Sequence, residues 1–196
     1  MPSSTELLEA TEPEPEPFQC GWLTLGVVHD AGDWHQLGDA RAAIAAAICA
    51  AAAHDSLRDH AQSEVCVALS DDTHVQRLNA SYRGKDKPTN VLSFPADPGS
   101  QDPASSQVFL GDVVLALETA CMEAAGLGIP VLHHVQHLAV HGVLHLCGYD
   151  HETDDDAVIM ECLEIEILGK LGVANPYEHE ADAAGVRSKR EAAADA

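Results

Sequence analysis

The chain has 196 residues, 46% of them hydrophobic but only 4% aromatic, and a formal charge of −22. That length supports one domain with its own core and is short for two, and the alanine-rich apolar content predicts a globular core of small aliphatic side chains rather than a disordered chain. The acidic balance argues against binding nucleic acid through overall charge, and no apolar run approaches the roughly 20 residues of a membrane helix.

Residues 1–17, rich in Glu and Pro, are expected to form a disordered acidic tail. They lack a basic stretch followed by an apolar one, so no secretory signal is expected and a cytoplasmic location follows. WLTLGVV (22–28) reads as a strand and ARAAIAAAICAAAA (40–53) as a helix by alanine propensity. EVCVALS (64–70) is strand-like. Asp71 and Asp72 then open a helix with Val75, Leu78 and Tyr82 at helical spacing. RGKDKPTN is a loop forced by Gly84 and Pro88. NVLSF and VFLGDVVLAL read as two more strands, and ETACMEAAGLG as a helix closed by glycine.

Pro130 can open the next helix, running to about Leu146. DDAVIMECLEIEILGKLG supplies a last one, with Val158, Cys162, Ile165 and Leu168 expected along its apolar face. The fold class expected is α/β (α+β): a single domain over residues 18–174, with a mixed central sheet flanked by helices and a flexible tail at 175–196. The six cysteines (Cys20, Cys49, Cys66, Cys121, Cys147, Cys162) form no C-x-x-C pair. They are expected to be buried small hydrophobes rather than disulfides or a metal cluster.

Charge is unevenly spread. Arg77, Arg83, Lys85 and Lys87, four of the ten basic residues, fall close together, and none lies between Pro88 and Gly169. One basic patch therefore survives on an acidic molecule, which keeps a phosphate-bearing partner open.

The stretch VLHHVQHLAVHGVLHLCGYDHE (131–152) carries the chemistry. On a helix, His141 and His145 leave the same face about one turn apart. Gly148 can reverse the chain through a positive-φ conformation and bring His151 back toward them. Three imidazoles suit a zinc ion and leave a fourth position open, as a catalytic site requires. His133 and His137 continue the stripe backward with angular drift. A packing or supporting role is expected for His137, and solvation for His133 and His134. The spacing H-x-x-x-H-x-x-G-x-x-H is also that of metzincin proteases, which place a glutamate general base directly after the first histidine. Here Gly142 stands in that position, which demotes peptide hydrolysis.

HGVLHLCGYDHE, taken with SYRGKDKPTNVLSFP (81–95) and LGDVVL (110–115), closely resembles the bacterial YbeY family of metal-dependent endoribonucleases. The likeness runs from about Glu64 to Gly172. It implies an α/β fold with zinc in a cleft on a long helix and its following turn. It also implies cleavage of single-stranded RNA in 16S rRNA 3′-end maturation and ribosome quality control, beside ribosomal small-subunit components and away from membranes. His141, His145 and His151 fall on the family's zinc ligands and Arg83 on its functional arginine. Asn90 departs from the aspartate common there, and Cys147 from leucine. The latter is expected to be a packing residue.

The resemblance makes Arg83 the expected clamp on the scissile phosphate, with Lys85 and Lys87 steering RNA. No side chain is an obvious general base, and Asp150 or Glu152 could orient a ligand imidazole. Two other classes stay open: a ribosome-associated assembly factor with structural zinc, and a metallopeptidase-like hydrolase.

Overall fold

Leu25 and Val27, Val65 and Val67, and Val113 and Leu115 alternate with less buried neighbours along three stretches of chain, and all six are buried. Such period-two burial builds strands, and these three form the parallel centre of a mixed sheet. In the computed structural model, which describes residues 15–58, 61–97, 99 and 105–178, the strands are β1 (Phe18–Cys20), β2 (Leu23–His29), β3 (Ser63–Ser70), β4 (Val91–Pro95) and β5 (Val108–Ala116). Their order is β1-β2-β3-β5-β4. β2, β3 and β5 run parallel, and the edge strands β1 and β4 lie antiparallel to their neighbours.

The helices are α1 (Ala40–Ala52), α2 (Asp72–Arg83), α3 (Leu117–Leu127), α4 (Val131–Leu146) and α5 (Asp154–Gly169). Asp39, Asp71 and Thr153 cap α1, α2 and α5 by accepting from backbone N–H groups three residues on. Helices α1, α4 and α5 share one core with the central strands, including Ile44, Ile48, Val135, Val143 and Ile167. A smaller cluster of Val75, Leu92, Val114 and Ala116 seats α2 on the other face. The mixed sheet flanked by helices is therefore as expected. β1 and two short 3-10 turns (Trp34–Leu37 and Asp55–Leu57) are additions.

Two expectations are corrected. On α5 the buried stripe is Met160, Leu163, Glu164, Ile167 and Leu168, whereas Val158 and Cys162 face solvent. The helix is turned so that a carboxylate joins the core, an orientation its apolar spacing does not reveal. Cys20 and Cys49 form a disulfide with Cα atoms 4.8 Å apart, because β1 lies against α1 and brings together residues 29 apart in sequence. Cys66, Cys121 and Cys147 are half-buried and Cys162 exposed. The expected tails fall mostly on residues 1–14 and 179–196, outside the described residues.

Helix α4 lies close on β4 and β5, and Gly142 is the reason it can. A Cβ there would stand 2.6 Å from Val113 Cγ1 and 3.1 Å from Ser93 Oγ, and Ser93 Oγ donates to the Gly142 carbonyl at 3.0 Å. Gly142→Ala should cost about 1–3 kcal/mol through overpacking, more than the ~1 kcal/mol gained in helix propensity. A thermal melt followed by circular dichroism should show a lowered Tm; an unchanged or raised Tm would contradict this close approach.

Candidate metal centre

His141 and His145 sit one turn apart near the end of α4, with ring centroids separated by 4.6 Å. The helix ends in a Schellman closure: Gly148 N–H donates to the His145 carbonyl and Tyr149 N–H to the Leu144 carbonyl, both at 3.0 Å. Gly148 has φ +90°, the conformation the reversal needs. Asp150 then steadies the turn by accepting from the His151 backbone N–H at 2.7 Å. His151 comes back over the helix end, its ring 5.4 Å from His141 and 5.0 Å from His145.

Among the described residues, two sets of three side chains bring ligand atoms within 4.8 Å of one another: His141, His145 and His151, and His137, His141 and Glu164. The second set is already satisfied internally. Glu164 is fully buried; its Oε1 accepts from His141 Nδ1 and its Oε2 from His137 Nε2, each at 2.8 Å. The Tyr177 hydroxyl also donates to Oε2. Burial alone would push the Glu164 pKa up, but the hydrogen bonds and charge of His137 and His141 outweigh it and hold it at about 2. Glu164 is thus an ionised acceptor.

That fixes the ring orientations. His141 Nδ1 faces the Glu164 carboxylate, which turns its Nε2 toward His145. His145 Nδ1 donates to the Tyr149 carbonyl at 3.0 Å, which turns its Nε2 toward His141. The two Nε2 atoms face each other at 3.1 Å, a spacing that a shared proton or a cation between the rings can bridge. Burial and the neighbouring His141 push the His145 pKa down, against the Tyr149 carbonyl. With His151 beside them the rings offer three ligand atoms to one cation, and a buried carboxylate behind one imidazole with a carbonyl behind the other is the support that histidine metal ligands use. The donor set fits a zinc-type ion.

His145 and His151 open into a cleft of about 490 Å³ that also holds Arg83, Ser93, Pro95 and Glu152. Arg83 is the last residue of α2, on the opposite face of the sheet from α4. It shares the cleft because both helices flank the edge strand β4. Lys85 and Lys87 do not line it; their loop is tied to α2 by Asn79 Nδ2 donating to the Lys87 carbonyl and Gln76 Nε2 to Asp86, each at 2.8 Å.

Residues 32–172 match the family model for Endoribonuclease YbeY. Proteins named Endoribonuclease YbeY resemble the chain along most of their length. One from Rhodopseudomonas palustris (strain BisB18) is 52% identical over 145 residues, 74% of this chain and 86% of its own. One from Bradyrhizobium diazoefficiens is 49% identical over 146 residues, 74% of this chain and 79% of its own. The chain belongs to the Endoribonuclease YbeY family. A solved structure of a Thermotoga maritima protein also aligns, at 21% identity and a TM-score of 0.45, over 79% of this chain and 95% of that one.

For a YbeY-family member, three residues behave differently from what the sequence suggested. His134 is buried rather than solvated, and its Nε2 bonds Glu123 Oε2 at 2.8 Å. Neither Asp150 nor Glu152 supports His141; Glu164 does. His137 plays the supporting part expected of it by sharing that carboxylate. Cys147 is a packing residue, with burial pushing its thiol up to about 12. Glu164 and Tyr177 were missed. The signal for Glu164 was its place as the one charged side chain in the apolar stripe of α5; Tyr177 carried none, since it lies beyond the expected domain end at residue 174.

Glu164→Gln keeps the shape but removes the charge that fixes both imidazoles. Metal affinity, measured by competition with a chelator, should fall about 10- to 100-fold. Wild-type affinity in this variant would show that the carboxylate does not support the site.

Proposed function

We propose that this chain is an endoribonuclease that hydrolyses single-stranded RNA with one Zn²⁺ held by His141, His145 and His151 and with Arg83 on the phosphate. On this reading it acts in the cytoplasm, in 16S rRNA 3′-end maturation and ribosome quality control, beside small-subunit components. Family membership supports RNA hydrolysis. The observation that carries the metal reading is the convergence of His141, His145 and His151, whose ligand atoms lie within 4.8 Å of one another. No helix among the described residues is long and apolar enough to cross a membrane.

When bound, zinc supplies Lewis acidity toward a phosphoryl oxygen and lowers the pKa of water toward roughly 7. The chain's own residues do the rest. Glu164 and the Tyr149 carbonyl hold the imidazoles in the orientation that presents Nε2. Arg83 offers a planar, permanently charged fork to the phosphate and stabilises the charge that gathers on its oxygens during displacement.

The competing readings lose ground on two observations. A Cβ at Gly142 would point into Val113 and Ser93 of the sheet, so this position cannot deliver a peptidase base to the cleft. A structural zinc site is closed by four protein ligands, whereas His145 and His151 border a cleft shared with an arginine.

Arg83→Ala should lower single-turnover cleavage of single-stranded RNA about 10²- to 10³-fold while metal content and Tm stay at wild-type values. His141→Ala should lose metal and cleavage together. Unchanged cleavage by the Arg83 variant would falsify its role. Metal-depleted protein should keep its far-UV circular dichroism and lose cleavage; collapse of the fold on depletion would instead favour structural zinc.

A further inference from the structure

The cleft that holds Arg83 is one of two cavities that follow each other along β4 and α4. The second, of about 510 Å³, lies toward the start of both elements and is bordered by His141. That volume is within the range of about 300–1,000 Å³ of small-molecule sites. Val91, Leu127 and Leu138 give it apolar walls, and Tyr177 contributes an aromatic ring. No lysine or arginine lines it, so its chemistry is unsuited to a phosphate.

Its carboxylate, Glu123, is held in place as an acceptor. Glu123 Oε2 receives Asn90 Nδ2 at 2.9 Å and His134 Nε2 at 2.8 Å, which fixes the carboxylate from two separate elements. An aspartate in place of Asn90 would put a second negative charge there instead of a donor. Glu123 Oε1 accepts no hydrogen bond among the described residues, and the side chain is 35% exposed. His134, which holds that carboxylate, is itself buried. A ligand completing this site brings apolar surface to these walls and an N–H donor to Glu123 Oε1. Single-stranded RNA offers such a group in an unstacked base, read by apolar or aromatic contact and by hydrogen bonds along its edge.

We propose that this cavity is a nucleobase pocket for a nucleotide beside the cut phosphate, and that Glu123 selects bases with an amino donor over uracil. The proposal rests on the endoribonuclease reading for its substrate. Cytosine presents its 4-amino group to Glu123, a pairing that carboxylates make with this base. Uracil presents a carbonyl oxygen at the same place, where it meets the carboxylate lone pairs.

The test has two arms. Metal-loaded protein is titrated with cytidine and with uridine, nucleosides lacking the phosphate that a metal site would capture, and backbone amide shifts of Asn90, Glu123 and Gly126 are followed by NMR. In parallel, cut sites are mapped on single-stranded RNA of random sequence. Cytidine should bind about tenfold more tightly than uridine, and uridine should be about tenfold depleted at one fixed position beside the cut. Glu123→Gln should erase both preferences with metal content unchanged. Gly126→Trp places bulk on the cavity's lining where a Cβ meets nothing within 4 Å, and it should weaken cytidine binding without lowering Tm. Equal binding of the two nucleosides, together with cuts indifferent to neighbouring bases, overturns the pocket and leaves the nuclease reading standing. A wild-type protein that cuts no RNA overturns the nuclease reading, and the nucleoside titration then decides the pocket by itself.

Discussion

A fully buried carboxylate holds the working end of this molecule together. Removing an ion of this size from water costs several kcal/mol unless partners replace the lost hydration, and Glu164 recovers it from three donors on two other parts of the chain. His137 and His141 come from α4, and Tyr177 from the segment after α5. The same contacts that settle the charge also dock α5 against α4 and set which nitrogen of His141 faces His145. Packing and chemistry are therefore one arrangement here. A change that loosened α5 would also free the imidazole to rotate.

The close seat of α4 on the sheet works in the same direction. Gly142 lets the helix approach β4 and β5, and that approach brings Arg83, from the far face of the sheet, into one cleft with His145 and His151. The residue that looked in the sequence like a missing catalytic base is a packing requirement. Its position faces the sheet, so chemistry in the cleft draws on the turn after α4 and on α2.

Much of this was legible beforehand, and the remainder was hidden for identifiable reasons. The spacing of His141, His145, Gly148 and His151 is a local pattern, and a local pattern suffices to predict that three rings converge at a helix end. Helix and strand positions were similarly local. Glu164 was not, because Glu161, Glu164 and Glu166 look alike along one acidic helix, and only tertiary contact separates the buried one. The Cys20–Cys49 bond depends on β1, a three-residue strand whose pairing no periodicity announces. His134 seemed one more surface histidine until Glu123, on a different helix, supplied its partner.

The turn at Gly148 also has a kinetic meaning. His141 and His145 are fixed by helical backbone, whereas His151 hangs on a short reversal held by a few backbone bonds and the Asp150 carboxylate. In the proposed site the three ligands then differ in lifetime. His151 would be the ligand whose backbone is least held by helix, so the opening of this reversal would set how readily a bound ion is released.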